Sequence, residues 1–351
     1  MLLFMDGFDN YSLPQATALG RWAAASGLSQ EGTIVQYGVG QSMQDAANGY
    51  LERNIGQNLA AGCMGMGFYA TTGAGAQITL FVLYDGSTIQ MHAHMNADRT
   101  ISIYRGSGLS NNLGTSTYTV PNASWNYYEL KWKISDSISS GDVVLYVDGT
   151  AILTLAAGSD TKASANAYAT KYRIGGDTTI YNSTTARRYM DNHYLLDFTG
   201  SYNNAPLGSV RVQTLQPTGN GNYSGMTGSD GNSVNNYQLV DETLAHNTDT
   251  DYVEHATAGT RDSYAMGDTL STTGTIYAVQ TVHVARKTDT DNKSFAPFFR
   301  ISSTDYDGTT VSLTSSTYQD YHQIYETNPA TSAVWTKSDV DGLEFGTKVV
   351  S

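Results

Sequence analysis

Two histidines, His92 and His94, stand two residues apart in TIQMHAHMN, a spacing that puts both on one face of an extended strand. Two imidazoles on one face can begin a zinc site, but zinc takes three or four protein ligands and nothing adjacent supplies a third. They read as polar-face residues of a strand, and no metal site is expected. Aspartates recur in pairs at Asp249/Asp251, Asp289/Asp291 and Asp305/Asp307, in turn-like sequence. Oxygen-rich turns of this kind suit calcium. However, DTDNKSFAPFFR has no glutamate at its twelfth position, and DYDGTT places its glycine too early for an EF-hand loop. Asp, Asn and Gly are also what turns are made of. No cofactor is expected; a structural calcium in one such loop is the alternative.

Glycoside hydrolysis takes two carboxylates flanking the scissile bond. Sandwich-fold glucanases carry Glu-x-Asp-x-x-Glu on one strand, and none of the seven glutamates here is followed two residues later by aspartate. There is no Gly-x-Ser-x-Gly elbow, no phosphate-cradling Gly-x-x-x-x-Gly-Lys, and no cysteine nucleophile with a plausible partner. The expectation is no catalytic residues and no enzyme. No ligand-binding residue is singled out, although the 25 tyrosines and four tryptophans include rings that can stack on sugars.

These residues sit in a chain with 40% hydrophobic and only 15% charged residues, rich in Gly, Ser, Thr, Asn and Tyr. Such a composition is globular and favours many short strands over helices. The net charge of −13 repels phosphate backbones, so nucleic acid is not expected as a partner. Cys63 is the only cysteine, which leaves no intrachain disulfide. The opening MLLFM is too short for a signal-peptide core, and apolar runs such as ITLFVLY have strand length, so no membrane insertion is expected.

Period-2 patterns recur. In TIQMHAHMN, Ile89, Met91, Ala93 and Met95 share one face, and Gln90, His92, His94 and Asn96 share the other, as in a half-buried antiparallel strand. WNYYELKWKIS (125 to 135) alternates similarly, and Asp148-Gly149 splits two apolar runs as a hairpin turn. Only residues 42 to 53, SMQDAANGYLER, hint at helix. A strand is expected over Ser209 to Leu215, ending near Pro217, followed by a linker through 237 built almost wholly of turn formers. Further strands are expected within 275–287, 295–302 and 310–316. The fold class is therefore all-β, with two β-sandwich (jelly-roll) domains in tandem, 1–217 and a smaller 218–351.

The first domain resembles laminin-G-like, concanavalin A-like jelly rolls. WNYYELKWKIS, VVLYVDGTAIL, YRIGG and RRYMDNHYLLD occur in that family's order, with Met190-Asp191-Asn192 standing where an Ile-Asp-Asp type strand is usual. The missing second acid weakens any transfer of a metal or ligand site that would use it. Together with MDGFDNY…LGRW, LGSVRVQTLQP, DTDYVEHATAGTRDSY and the closing NPATSAVWTKSDVDGLEFGTKVV, the order of motifs resembles tailed-bacteriophage virion proteins over nearly the whole chain. That resemblance implies a non-enzymatic structural component of the virion, of tail or tail-fibre type, made in the host cytoplasm and working by assembly. Its implied partners are other virion proteins, further copies of itself and host-surface glycan. The alternatives are a capsid decoration protein and a carbohydrate-binding or glycan-cleaving lectin-like protein. In the closing segment, Thr336 or Ser338 caps one acidic turn carrying Asp339 and Asp341, and Trp335, Leu343 and Phe345 are expected in the second domain's core.

Overall fold

The computed structural model describes residues 1–71, 77–177, 179–180, 187–270 and 273–351, and of residues 46 and 47 the backbone only. The chain is all-β and divides into two compact units, one of residues 1–9 with 21–212, the other of 10–20 with 213–351.

Among the described residues the first unit is a jelly-roll sandwich of thirteen strands. They are β1 (Leu2–Asp6), β2 (Ala24–Glu31), β3 (Ser42–Leu59), β4 (Ala61–Thr71), β5 (Ile78–Asp85), β6 (Thr88–Met95), β7 (Ile101–Arg105), β8 (Asn112–Thr115), β9 (Trp125–Lys133), β10 (Val144–Val147), β11 (Thr150–Thr154), β12 (Ala169–Gly175) and β13 (Arg187–Leu196). The hydrogen-bonded path runs β11-β10-β9-β4-β13-β3-β12-β5-β6-β7-β8, with β1 on β13 and β2 on β3. This path folds over on itself. Phe68 of β4 meets Phe81 of β5 edge-on at 5.8 Å, although three strands separate them along the path. At the far edges, Gly114 of β8 lies against Leu153 and Leu155 beside β11, where a side chain would collide. Aromatic and branched side chains from the facing layers fill the space between, as sandwiches require.

Asp148-Gly149 forms the turn between β10 and β11, with φ of 48° and 76°. Both central residues of the tightest hairpin turn need positive φ, which the Asp-Gly pair supplies. Replacing Gly149 by alanine is expected to cost about 1–2 kcal/mol in chemical denaturation, from the Cβ strain of the left-handed conformation. No neighbour crowds that position. A loss near zero would mean that the turn relaxes.

Three local expectations fail here for tertiary reasons. Residues 42 to 53 are not helical but lie in β3, which hydrogen-bonds β2, β12 and β13 and needs Gly49 where Gly27 presses against it. β6 is not half-buried: its Gln90, His92 and His94 face is buried as well. The segment 163–168 covers part of that face, with the Gln90 amide bonded to Ser164, Asn166 and Tyr168. Residues 209–215 form no strand.

The second unit contains β14 (Pro217–Ser224), β15 (Thr227–Gly228), β16 (Val253–Glu254), β17 (Arg261–Met266), β18 (Val279–Ala285), β19 (Lys293–Ile301), β20 (Thr304–Asp307), β21 (Val311–Leu313), β22 (Gln319–Tyr325) and β23 (Glu344–Val349). The first third of the stretch expected as a linker is thus β14, an edge strand on β17 with alternating burial, and β15 follows within it. The main sheet runs β14-β17-β23-β19-β20 with β21 also on β19, and the β18–β22 ribbon packs over it through Phe295–Tyr321, Phe299–Tyr325 and His283–Phe345 contacts. A short helix α1 (Leu13–Ala18) belongs to this unit, with the Gln15 amide exchanging bonds with the His246 backbone.

The terminal segment closes the second core. Thr336 caps helix α2 (Lys337–Asp341), and the Asp339 carboxylate returns a bond to the Thr336 amide. Trp335 is 3% exposed, and its indole N–H donates to the Tyr325 carbonyl at 2.8 Å. Val340 and Leu343 are buried beside it, while Phe345 is only partly buried.

Candidate functional site

Two carboxyl groups with strongly raised pKa values lie where the two ends of the first unit meet. β1 ends in Asp6, whose carboxylate accepts from the Phe8 amide, Arg21 Nε and Trp22 Nε1, each at 2.9 Å. Those bonds explain the MDGFDNY…LGRW pattern: one carboxylate ties together both ends of the excursion made by residues 10–20. Gly7 leaves room for the Val212 carbonyl, which a Cβ would strike.

Asp9 and Asp191 follow from this frame. Asp9 accepts from the Gln41 amide at 2.6 Å, and Asp191, on β13, accepts from the Gln36 amide at 2.9 Å. Both bonds hold down the loop 35–41. Burial pushes the Asp191 carboxyl up to about 8, with the charge of Asp9 adding to it against the pull of the Gln36 amide. Burial likewise pushes Asp9 up to about 7, although the Gln41 amide and Arg211 draw it down. Asp191 is therefore mainly protonated at neutral pH, and Asp9 about half so.

Asn192 sits in the β13 irregularity with φ of 55°. Its amide donates to Gln36 Oε1 at 3.1 Å and accepts from the Val212 amide at 2.7 Å. An aspartate there accepts but does not donate, which gives a physical reason for Asn in place of the family's second acid. The Gln36 side chain fills the space that Gly67 leaves open.

At the surface of this cluster stands Tyr37, 47% exposed and held at φ of 61°. Its hydroxyl lies 3.2 Å from Ser209 Oγ, and the Arg211 guanidinium carbon is 5.9 Å from its ring centre. Phe8, Tyr37 and Asn192 all have left-handed backbones without being glycine, and strain of this kind concentrates at functional sites. The arrangement brings together a stacking ring, two amides, a mainly protonated acid, a half-protonated one and a guanidinium.

A second buried polar centre adjoins it. Glu129 on β9 accepts from the Gly208 amide at 2.9 Å and from the Tyr194 hydroxyl, while its Oε2 is buried without a partner. Burial raises its pKa, and burial also raises that of the Cys63 thiol 3.5 Å from the Tyr194 hydroxyl. Tyr127 links the two centres by donating to the Asn192 carbonyl at 2.9 Å.

The residues weighed from sequence lie elsewhere. His92 and His94 are fully buried. His92 stacks on Tyr104 at 5.1 Å, and His94 lies 3.3 Å from both Thr79 and Gln77. Burial drops them to about 4 and about 3, so both are neutral. Five of the six paired aspartates face cations: Asp249 meets Arg286, Asp289 and Asp291 meet Lys293, Asp305 meets Arg300, and Asp307 meets Arg261 and Lys348, while Asp251 accepts from the Asn247 side-chain amide. Among the described residues, no group of three or more His, Cys, Asp or Glu is arranged to hold a metal ion. In the second unit a groove of about 700 Å³ runs along β22, with the Gln323 amide reaching to the Thr309 backbone.

No family model matches the sequence, and no curated protein matches it. Solved structures are similar at low identity. An endo-acting O-glycanase from the human gut microbiota, described as initiating mucin breakdown, is 12% identical with a TM-score of 0.38, over 56% of this chain and 99% of its own. The β-glucanase of Bacillus licheniformis is 13% identical with a TM-score of 0.34, over 55% of this chain and 96% of its own. The carbohydrate-binding module CBM66 of Bacillus subtilis is 8% identical with a TM-score of 0.31, over 49% of this chain and 97% of its own. The expectation that the chain is no enzyme is corrected by this finding, because glycoside-cleaving proteins stand among the structures it is similar to. At such scores they assign no activity in its place.

Proposed function

We propose that this chain engages glycans through the Tyr37 loop of its first unit, as a surface component of a tailed-bacteriophage particle. The observation that carries the glycan reading is Tyr37, an exposed ring on a strained loop, braced by Ser209 and neighboured by the Arg211 guanidinium. Sugar rings present apolar C–H faces to aromatic planes and hydroxyls to amides and carboxyl groups, and mixed sites of this kind bind them. The virion setting rests on the order of sequence motifs that resembles phage structural proteins. Other virion proteins and further copies of the chain are its partners in that setting, and assembly is part of its work.

Tyr37→Ala is expected to weaken binding of host envelope polysaccharide by about tenfold or more in calorimetric titration, equivalent to about 1.4 kcal/mol. Reducing ends measured in the same mixtures report whether binding is accompanied by cleavage. Unchanged affinity in the variant contradicts the site. Mass spectrometry of purified particles tests the setting, and absence of the chain from them contradicts it.

A further inference from the structure

Arg211 has no ion-pair partner among the described residues, and its Nη2 is buried without an acceptor. An unmet buried donor on a charged group is costly, which favours an acceptor arriving at that atom. The acids nearest in the cluster do little to neutralise it, since burial keeps Asp191 and much of Asp9 protonated. Asp6, beneath them, is already committed to Arg21 and Trp22. The Arg211 guanidinium carbon stands 5.9 Å from the centre of the Tyr37 ring, so a sugar held at that ring has substituents within reach of Arg211.

We propose that the glycan taken by this site is anionic, bearing a carboxylate or phosphate group that Arg211 reads. The inference rests on the glycan reading of the Tyr37 loop. A planar guanidinium offers a fork of N–H donors that matches either group in bidentate fashion, and it binds neutral hydroxyls with no charge compensation. The net charge of −13 gives a polyanion no long-range attraction, so selection has to come from this local contact.

Titration of the full chain with three probes tests it: an oligogalacturonate, a glycerol-phosphate polymer and a neutral glucan fragment. One of the two acidic probes is expected to bind at least about tenfold more tightly than the neutral one, and which of them does so identifies carboxylate or phosphate. Arg211→Gln is expected to collapse that ratio towards one. Arg211→Lys, which keeps the charge and loses the fork, falls between, and thermal melts establish that both variants fold. Equal binding of neutral and acidic probes, weakened by Tyr37→Ala but not by Arg211→Gln, overturns the anionic preference and leaves the Tyr37 site standing. Binding of none of the probes, nor of host polysaccharide, overturns both.

Discussion

Arg188→Met is expected to destabilise the first unit by about 3–5 kcal/mol, the cost of leaving a buried charge without its partner. Arg188 and Asp45 face each other across β13 and β3, each about 1% exposed, and they form an ion pair that no solvent screens. The guanidinium also donates to the Thr79 carbonyl at 2.8 Å. Asp45 has a second oxygen with no partner, and burial already raises its pKa. Methionine fills much of the arginine's volume but gives that carboxylate nothing. Combining Asp45→Leu with Arg188→Met is expected to recover most of the loss, because replacing both members of a buried pair by apolar groups is far cheaper than removing one. Urea denaturation of the two variants checks this. A single-variant loss below about 1 kcal/mol contradicts the account of the pair.

The second large effect is a fall in stability with rising pH. Asp191 and Asp9 have folded pKa values of about 8 and about 7, against an ordinary aspartate value of 3.8. Above pH 4 the unfolded chain has released these protons while the folded chain still holds them, so stability falls as pH rises until the folded values are passed. Three buried histidines, His92, His94 and His193, and the half-buried His283 are lowered from 6.5 to between about 3 and about 4 and work in the opposite sense until the unfolded imidazoles have lost their protons. Between pH 6.5 and 8.5 the unfolded histidines shed their remaining protons, which offsets part of the aspartate loss. A net loss of about 1 kcal/mol is expected over that window. Asp191→Asn, which keeps an acceptor for the Gln36 amide, is expected to abolish it. Thermal melts at pH 6.5, 7.5 and 8.5 read both results, and a flat profile in the unmodified chain contradicts the buried neutral acids.

Much of the fold is legible in local sequence, where one residue type has one physical use. Asp148-Gly149 marks a turn that needs two positive φ angles, and a tryptophan followed by a capped acidic turn marks a docked terminus. Where the sequence misleads, tertiary contacts outweigh local preference. Residues 42 to 53 carry helix-compatible types but are claimed by three neighbouring strands. The run of Gly, Asn and Ser after Pro217 looks like linker, yet as an edge strand it needs little apolar surface.

The candidate site was less legible, for a definable reason. Asp9 and Asp191 lie near opposite ends of the first unit and meet only because β1 pairs with β13. Their sequence signals were present in DGFDNY and Met190-Asp191-Asn192, but these marked a fold resemblance rather than chemistry. Tyr37 and Arg211 carried no signal at all, since neither a lone exposed tyrosine nor a lone arginine has a diagnostic spacing. The histidine pair, which did have a metal-like spacing, proved to be stacked in the interior.

Hydrogen exchange of the full chain with and without host envelope polysaccharide tests the central claim most directly. Slowed exchange in residues 35–41 and 206–212 is the result expected, since these backbone segments carry Tyr37, Ser209 and Arg211. No change in either segment, or protection confined to residues 309–311 and 320–325 along the groove of the second unit, contradicts it.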